Sequence, residues 1–112
     1  MKSVNMLTFE RVEVMKLWRV YKMYCDTTPG VVYVGITSQS LKSRLTQHLC
    51  DSKNHWKIMW LDFLKKQGVE PLIKEITTLY GTKQDAEKLE QFFINFHKST
   101  GHTLINVTIR SK

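Results

Sequence analysis

A small set of residues in this chain has side chains that could together handle a phosphate diester. A carboxylate can hold a divalent metal ion, an arginine can bind a phosphate through parallel hydrogen bonds, and a histidine can bind a phosphate or move a proton. Phenols can order a water molecule, and a glycine lets backbone come close to a ligand. In chain order these residues are Tyr21, Tyr33, Gly35, Arg44, His48, Glu90 and Asn106.

Glu90 lies at the border of the apolar face of a predicted helix. At 3.6 residues per turn, Ala86 and Ile94 lie about 40° to either side of it. A carboxylate at that border is costly unless it is paired or binds a metal ion. Glu90 is therefore a candidate metal ligand, and the alternative is an ion pair with Arg44 or with a lysine.

Arg44 and His48 are four residues apart on one predicted helix, so their side chains project from the same face. The guanidinium could stabilise negative charge that builds up on a phosphate, and the imidazole could hydrogen-bond that phosphate. The alternative for this pair is a solvated basic face of the helix.

Tyr21 and Tyr33 lie on two predicted strands joined by a Pro-Gly turn, so the pair can meet across a hairpin. One phenol could serve as a base if its pKa were lowered by nearby cations. The alternative is a pair of ordinary core or surface aromatics. Gly35 ends the second strand, where it allows a close backbone approach.

Hydrophobic periodicity and turn signals predict an α+β domain with the order ββααβα and an extended tail. The predicted strands are 17–25, 31–36 and 71–79, the predicted helices are 40–51, 55–67 and 83–98, and the tail is 103–109. The predicted core-facing helix residues are Leu41, Leu45, Leu49, Trp56, Met59, Trp60, Phe63, Leu64, Ala86, Leu89, Phe93 and Phe96. The expected fold is a small three-stranded antiparallel sheet flanked by about three helices.

The composition predicts one soluble domain with an anionic partner. The chain has 112 residues, a net charge of +7 and 42% hydrophobic residues, which favours nucleic acid first and an acidic membrane surface second. Cys25 and Cys50 lack metal-ligand spacing, and no apolar run reaches the length of a membrane span. We therefore expect an intracellular protein with two free thiols, no membrane association and an N-terminal extension at residues 1–17.

Basic residues outnumber acidic ones between Ile36 and Lys66, and this part of the chain could follow a phosphate backbone. It could equally be a solvated helix surface. The candidates for contact with nucleic acid are Lys42, Arg44, Lys53 and Lys57.

The joint order of these motifs resembles the GIY-YIG nuclease family. The matching segments are Val20-Tyr21, Tyr33-Val34-Gly35, the Arg44 to His48 helix, the Glu90 helix and Leu104-Ile105-Asn106. The resemblance covers residues 17–108. It departs from the family pattern at Arg19, which occupies the glycine position of the first motif, Arg19-Val20-Tyr21. In the second motif, Val34 is a conservative substitution for isoleucine.

The resemblance implies hydrolysis of phosphodiester bonds, usually in DNA, with one Mg²⁺ or Mn²⁺ ion. It implies that Glu90 holds the ion and that Arg44 stabilises the charge of the transition state. Tyr21 becomes the candidate base or water-positioning group, oriented together with the phosphate by Tyr33 and His48. Gly35 and Asn106 would support the site.

Residues 18–112 would then form a nuclease domain of a type that suits a phage or a mobile element. The expected substrate is DNA, including branched or single-stranded DNA, with specificity supplied by a homodimer or by a protein partner. Two alternatives stay open from the sequence. One is a nucleic-acid-binding or inhibitory module on the same fold that has lost cleavage, and the other is a basic protein–protein adaptor.

Overall fold

The fold is centred on a mixed four-stranded sheet, seen in a computed structural model that describes residues 14–50 and 54–106. Strand β1 (Lys16–Tyr24) pairs antiparallel with β2 (Val31–Thr37) on one side and with β3 (Leu72–Gly81) on the other. A short strand β4 (Thr103–Leu104) pairs with β2 in parallel. The strand order is therefore β3-β1-β2-β4.

The described residues also form three helices, and each begins at a side-chain cap. The helices are α1 (Leu41–Cys50), α2 (His55–Lys66) and α3 (Lys83–Ser99). The hydroxyl of Ser40, the amide oxygen of Asn54 and the hydroxyl of Thr82 each accept a hydrogen bond from a backbone N–H in the first turn of the helix that follows. Helix α2 ends before Gly68, whose positive φ of 71° suits a residue without a Cβ.

Strand β4 corrects the predicted three-stranded antiparallel sheet. The backbone N–H of Thr103 donates to the carbonyl of Gly30 at 2.6 Å, and that of Ile105 donates to the carbonyl of Val32 at 2.9 Å. The pairing is parallel because α3 carries the chain across the sheet before it reaches the edge of β2. A two-residue strand has no hydrophobic period, so the sequence showed only an extended tail there.

The sheet separates two hydrophobic clusters. One contains Met23 of β1 together with Trp60 and Leu64 of α2, with Leu45 of α1 packed against them. The other contains Val20, Val32 and Val34, covered by Leu89, Phe93 and Ile94 of α3. Successive strand residues point to opposite faces, so α1 and α2 cover one face of the sheet and α3 covers the other.

Several helix residues predicted to face the core are exposed instead. These residues are Leu49, Trp56, Met59, Phe63 and Phe96. On α2 the buried stripe is Lys57, Trp60 and Leu64, and Trp56, with 49% of its surface exposed, lies beside it. The prediction that Trp56, Met59 and Phe63 face the core is therefore wrong, because both stripes have helical spacing and only the packing of the layers decides which one is covered.

Much of the predicted N-terminal extension lies outside the described residues. Strand β1 begins at Lys16, so the last two residues of the 1–17 segment belong to the sheet. Within the described residues both cysteines are free, Cys25 buried and Cys50 exposed. None of the described helices combines the length and the apolar character that crossing a bilayer requires.

Candidate active site

Tyr21 is fully buried in the middle of β1, where the strand register places it opposite Gly35. A Cβ built on Gly35 would lie 2.5 Å from the Tyr21 hydroxyl and 2.7 Å from Cζ. Only a glycine therefore lets the phenol lie across the neighbouring strand. A β-bulge in the pairing of β1 with β3 falls between Val20 and Tyr21, and such bulges often re-aim a side chain beside a functional site.

The Tyr21 hydroxyl is the point where β1 and α1 meet. The Arg44 Nε–H donates to it at 3.0 Å, and His48 Nε2 lies 2.6 Å from it. The four-residue spacing of Arg44 and His48 on α1 allows both side chains to reach one oxygen. The structure thus brings together three of the residues singled out from the sequence.

Tyr33 lies on the same face of the hairpin as Tyr21, two residues before Gly35. Its ring centroid is 6.3 Å from that of Tyr21 and 4.9 Å from that of His48. Unlike Tyr21, Tyr33 is partly exposed and lines an open cleft. The two phenols are therefore not equivalent, because one is enclosed by protein and the other lies at the surface of the site.

The cleft has a volume of about 380 Å³ and borders the part of β2 that, among the described residues, pairs with β1 but not with β4. Its lining comes from β1, from β2 and the loop that follows it, and from α1 and α3, two helices that cover opposite faces of the sheet. The lining residues are Trp18, Tyr33, Ile36, Thr37, Ser38, Gln39, Arg44, Gln47, Lys83, Glu87 and Glu90. The cleft therefore places the arginine and the carboxylate predicted for the site on one surface.

Glu90 is partly buried on α3, which agrees with its predicted place at the border of the apolar face. Glu87 lies three residues earlier and lines the same cleft. Among the described residues, no three His, Cys, Asp or Glu side chains lie together as a preformed metal site. Carboxylate oxygens beside an open polar cleft nevertheless fit Mg²⁺ or Mn²⁺, since such ions keep several waters and take further oxygens from substrate phosphates.

Burial raises the pKa of Tyr21, and the negative charges that Tyr33 and Glu90 can carry raise it further. The hydrogen bond from Arg44 and its positive charge act in the opposite direction and are outweighed. Tyr21 is therefore a neutral phenol at ordinary pH. The condition set by the sequence for a phenol base, a lowered pKa, is not met at Tyr21 in this structure.

Arg44 is held on more than one side. Burial opposes its charge, but the interactions with Tyr21 and Tyr33 outweigh burial and raise the pKa of Arg44. Its Nη1 donates to the Gln47 side chain at 2.9 Å. The guanidinium is thus fixed in orientation at the wall of the cleft, as a group that binds a phosphate must be.

Asn106 lies at the edge of the sheet, where its side chain bonds to β2. Its side-chain oxygen accepts from the Val34 N–H at 2.9 Å, and its side-chain N–H donates to the Val34 carbonyl. The amide therefore continues the backbone pairing of β2 one step beyond β4. It holds the segment between Tyr33 and Gly35 in place.

Tyr21, Tyr33, Arg44 and His48 form what we call the phenol cluster. Arg19, the departure from the family pattern, makes its contacts elsewhere. Its Nε lies 3.3 Å from a Glu75 carboxylate oxygen on β3, and its Nη1 donates to the Gln39 carbonyl at 3.4 Å. Gln39 lines the cleft. The arginine thus links β3 to the rim of the site.

The candidates for nucleic-acid contact lie in different surroundings. Lys42 is exposed on α1 beside Arg44, and Lys53 lies outside the described residues. Lys57 is 1% exposed, and its Nζ lies 2.8 Å from His48 Nδ1 and 5.7 Å from the centroid of the Tyr33 ring. Lys57 therefore lies behind the phenol cluster and not on the outer surface of α2.

The comparisons agree with the geometry. A family model described as the GIY-YIG catalytic domain matches residues 17–104, which include all the candidate site residues except Asn106. The chain belongs to the GIY-YIG nuclease family. Searches of curated proteins and of solved structures returned no match.

Proposed function

We propose that this chain is a metal-dependent endonuclease that hydrolyses phosphodiester bonds in DNA. The observation that carries the proposal is the cleft beside β2, where Arg44 and Glu90 line one surface. Family membership and the net charge of +7 support the same conclusion.

In the proposed mechanism, Arg44 binds the scissile phosphate and stabilises the additional negative charge of the transition state. Tyr21 and Gln47 hold the guanidinium in that orientation. A divalent ion held by Glu90 would polarise the phosphate and stabilise the leaving oxygen. Glu90 and Arg44 would thus act on one phosphate from two sides of the cleft.

The two phenols have different parts in this proposal. Tyr21 is buried and neutral, so it acts as the acceptor that fixes Arg44 and His48. Tyr33 lines the cleft, so its phenol orders the attacking water next to the phosphate. Lys42 contributes a contact to the DNA backbone outside the cleft.

The test is cleavage of supercoiled plasmid DNA with Mg²⁺ or Mn²⁺, with EDTA as the metal-free control. We expect wild-type protein to cut and Glu90→Gln to lose at least about 100-fold in rate, because the carboxylate that holds the ion is gone. Glu70→Gln removes an exposed carboxylate outside the cleft and is expected to cut like wild type.

A wild-type protein that binds DNA but cuts neither plasmid, single-stranded nor branched DNA would contradict the proposal. That result would favour the binding or inhibitory module on the same fold. Equal cutting by wild type and Glu90→Gln would remove Glu90 from the site. Comparison of the three DNA forms also identifies the substrate structure that the enzyme prefers.

A further inference from the structure

Lys57 is a buried cation in direct contact with the proposed active site. It belongs to the core-facing stripe of α2 with Trp60 and Leu64, at spacings of three and seven residues. Its backbone N–H is bonded by the Asn54 cap, which fixes the first turn of the helix. Burial of an ammonium group is expensive, so a lysine at a core position suggests a role other than packing.

Donor and acceptor counting fixes the direction of the hydrogen bonds around His48. A lysine ammonium has donors only, so His48 Nδ1 must accept the hydrogen bond from Lys57. A neutral imidazole carries its single proton on the other nitrogen. His48 Nε2 therefore donates to the Tyr21 hydroxyl oxygen over 2.6 Å.

The same oxygen accepts a second hydrogen bond, from Arg44 Nε. Both lone pairs of the phenol oxygen then accept hydrogen bonds. Lys57 donates to His48, His48 donates to Tyr21, and Arg44 also donates to Tyr21. The ammonium also lies against the Tyr33 ring, and that ring packs against the edge of His48. Lys57 thus touches two of the residues at the centre of the cluster.

We propose that Lys57 is a positioning residue that holds His48 in its Nε2–H tautomer, so that His48 and Arg44 both donate to Tyr21. The expected effect of Lys57 on the cleavage rate rests on the proposed nuclease function. The assignment of the His48 tautomer does not depend on that function. Without the ammonium, the neutral His48 ring can carry its proton on Nδ1 and accept a hydrogen bond from the Tyr21 hydroxyl at Nε2. The phenol would then accept from Arg44 alone, and Arg44 would be held less rigidly at the cleft.

The test is Lys57→Met, which keeps the length of the side chain and removes its charge. Nitrogen-15 NMR of the His48 ring reports which nitrogen carries the proton, and urea unfolding reports stability. Single-turnover cleavage and DNA binding are measured on the same protein. The matched control is Lys98→Met, which makes the same change at an exposed position on α3.

We expect the wild-type His48 ring to be protonated at Nε2 and the Lys57→Met ring at Nδ1. The urea midpoint is expected to be unchanged or higher, since a buried charge has been removed. The cleavage rate constant is expected to fall about 10- to 100-fold from the loss of orientation, with DNA affinity unchanged. Lys98→Met is expected to match wild type in all four measurements.

The same His48 tautomer in wild type and Lys57→Met would overturn the proposal. A drop in the urea midpoint that accounts for the lost activity would also overturn it, since Lys57 would then be structural. If wild-type protein cuts no DNA, the proposed function fails, yet the tautomer comparison still decides whether Lys57 directs the hydrogen bonds of His48.

Discussion

The Tyr21 hydroxyl joins β1 to α1 at the proposed site. It is enclosed by protein, and it is the shared partner of Arg44 on one side and of His48 on the other. Its raised pKa follows first from that burial. A neutral phenol with two donors around it is suited to hold other groups in place, which is the role that we propose for it.

Replacement of Tyr21 by Phe tests that role. The ring still fills its place, but Arg44 and His48 lose their shared acceptor. We expect the single-turnover cleavage rate to fall about 100-fold from lost orientation. Unfolding should become easier by about 1–3 kcal/mol because Arg44 Nε and His48 Nε2 lose their shared acceptor.

The matched control for Tyr21→Phe is Tyr80→Phe, which removes an exposed phenol from β3. It is expected to change neither rate nor stability. A Tyr21→Phe protein that cuts at the wild-type rate would show that the hydroxyl does not position Arg44.

Replacement of Gly35 by Ala tests the close packing that the phenol needs. The new methyl group would overlap the Tyr21 hydroxyl and lie 3.0 Å from the Tyr33 ring. We expect a loss of about 1–3 kcal/mol in the free energy of unfolding, because the well-packed ring must shift, together with a large loss of cleavage.

Gly30→Ala is the control for that experiment, because a Cβ at Gly30 meets nothing within 4 Å. Its urea midpoint and its cleavage rate are expected to stay near wild type. If Gly35→Ala and Gly30→Ala behaved alike, the close approach of Tyr21 to β2 would not matter.

Among the elements, α2 carries the least obvious contribution to the site. Its N-cap, Asn54, is buried, and its side chain serves two elements at once. The oxygen accepts from the Lys57 N–H, and the side-chain N–H donates to the Ile105 carbonyl beyond β4 at 3.1 Å. One residue therefore fixes both the start of α2 and the segment that leads to Asn106.

Asn54→Ala is accordingly expected to be more destabilising than an ordinary cap deletion. Loss of the cap and of the buried hydrogen bond together should cost about 2 kcal/mol in chemical unfolding. Thr82→Ala, which removes the partly buried cap of α3, is the comparison and should cost about 1 kcal/mol. Equal losses would mean that the bond to Ile105 contributes nothing.

In the whole molecule, the site lies where the layers on the two faces of the sheet meet. Among the described residues, β4 pairs with Val31 and Val32 and Asn106 bonds to Val34, and residues further along β2 border the cleft. Side chains of α1 and of α3 reach the cleft around this edge. The short length of β4 therefore allows Arg44 and Glu90 to share one surface.

The pH dependence of stability is a property of the whole chain, and we trace an acid-sensitive part of it to His97. Burial, together with the charges of His102 and Lys22, lowers the pKa of His97 below its ordinary value of 6.5. The unfolded chain therefore binds a proton at higher pH than the folded chain. This contribution to stability is complete above pH 6.5 and is lost as the pH falls through the lower folded pKa.

His97→Phe should weaken the pH dependence of stability while keeping an aromatic ring at position 97. Among the described residues, His97 Nδ1 is a buried polar atom without a hydrogen-bond partner, so its removal breaks no bond there. The measurement compares urea midpoints at about pH 7.5 and about pH 5. His102→Gln is expected to remove only part of the effect, and an unchanged pH dependence in His97→Phe would contradict the assignment.

The sequence by itself determined the types and order of the main elements, because hydrophobic period and turn residues act locally. It placed Tyr21, Tyr33, Arg44 and His48 on the elements that bring them together, and its motif order indicated the family. The border position of Glu90 followed from helix geometry alone.

Tertiary structure decided what depends on distant neighbours. Periodicity defines the faces of a helix but not which face another element will cover, so Lys57 was assigned to the surface of α2 and Trp56 to the core. Pairing of β4 depends on where α3 returns the chain, and the raised pKa of Tyr21 depends on enclosure by residues far away in sequence. Burial is a property of the assembled chain, and these features arise only when the layers pack together.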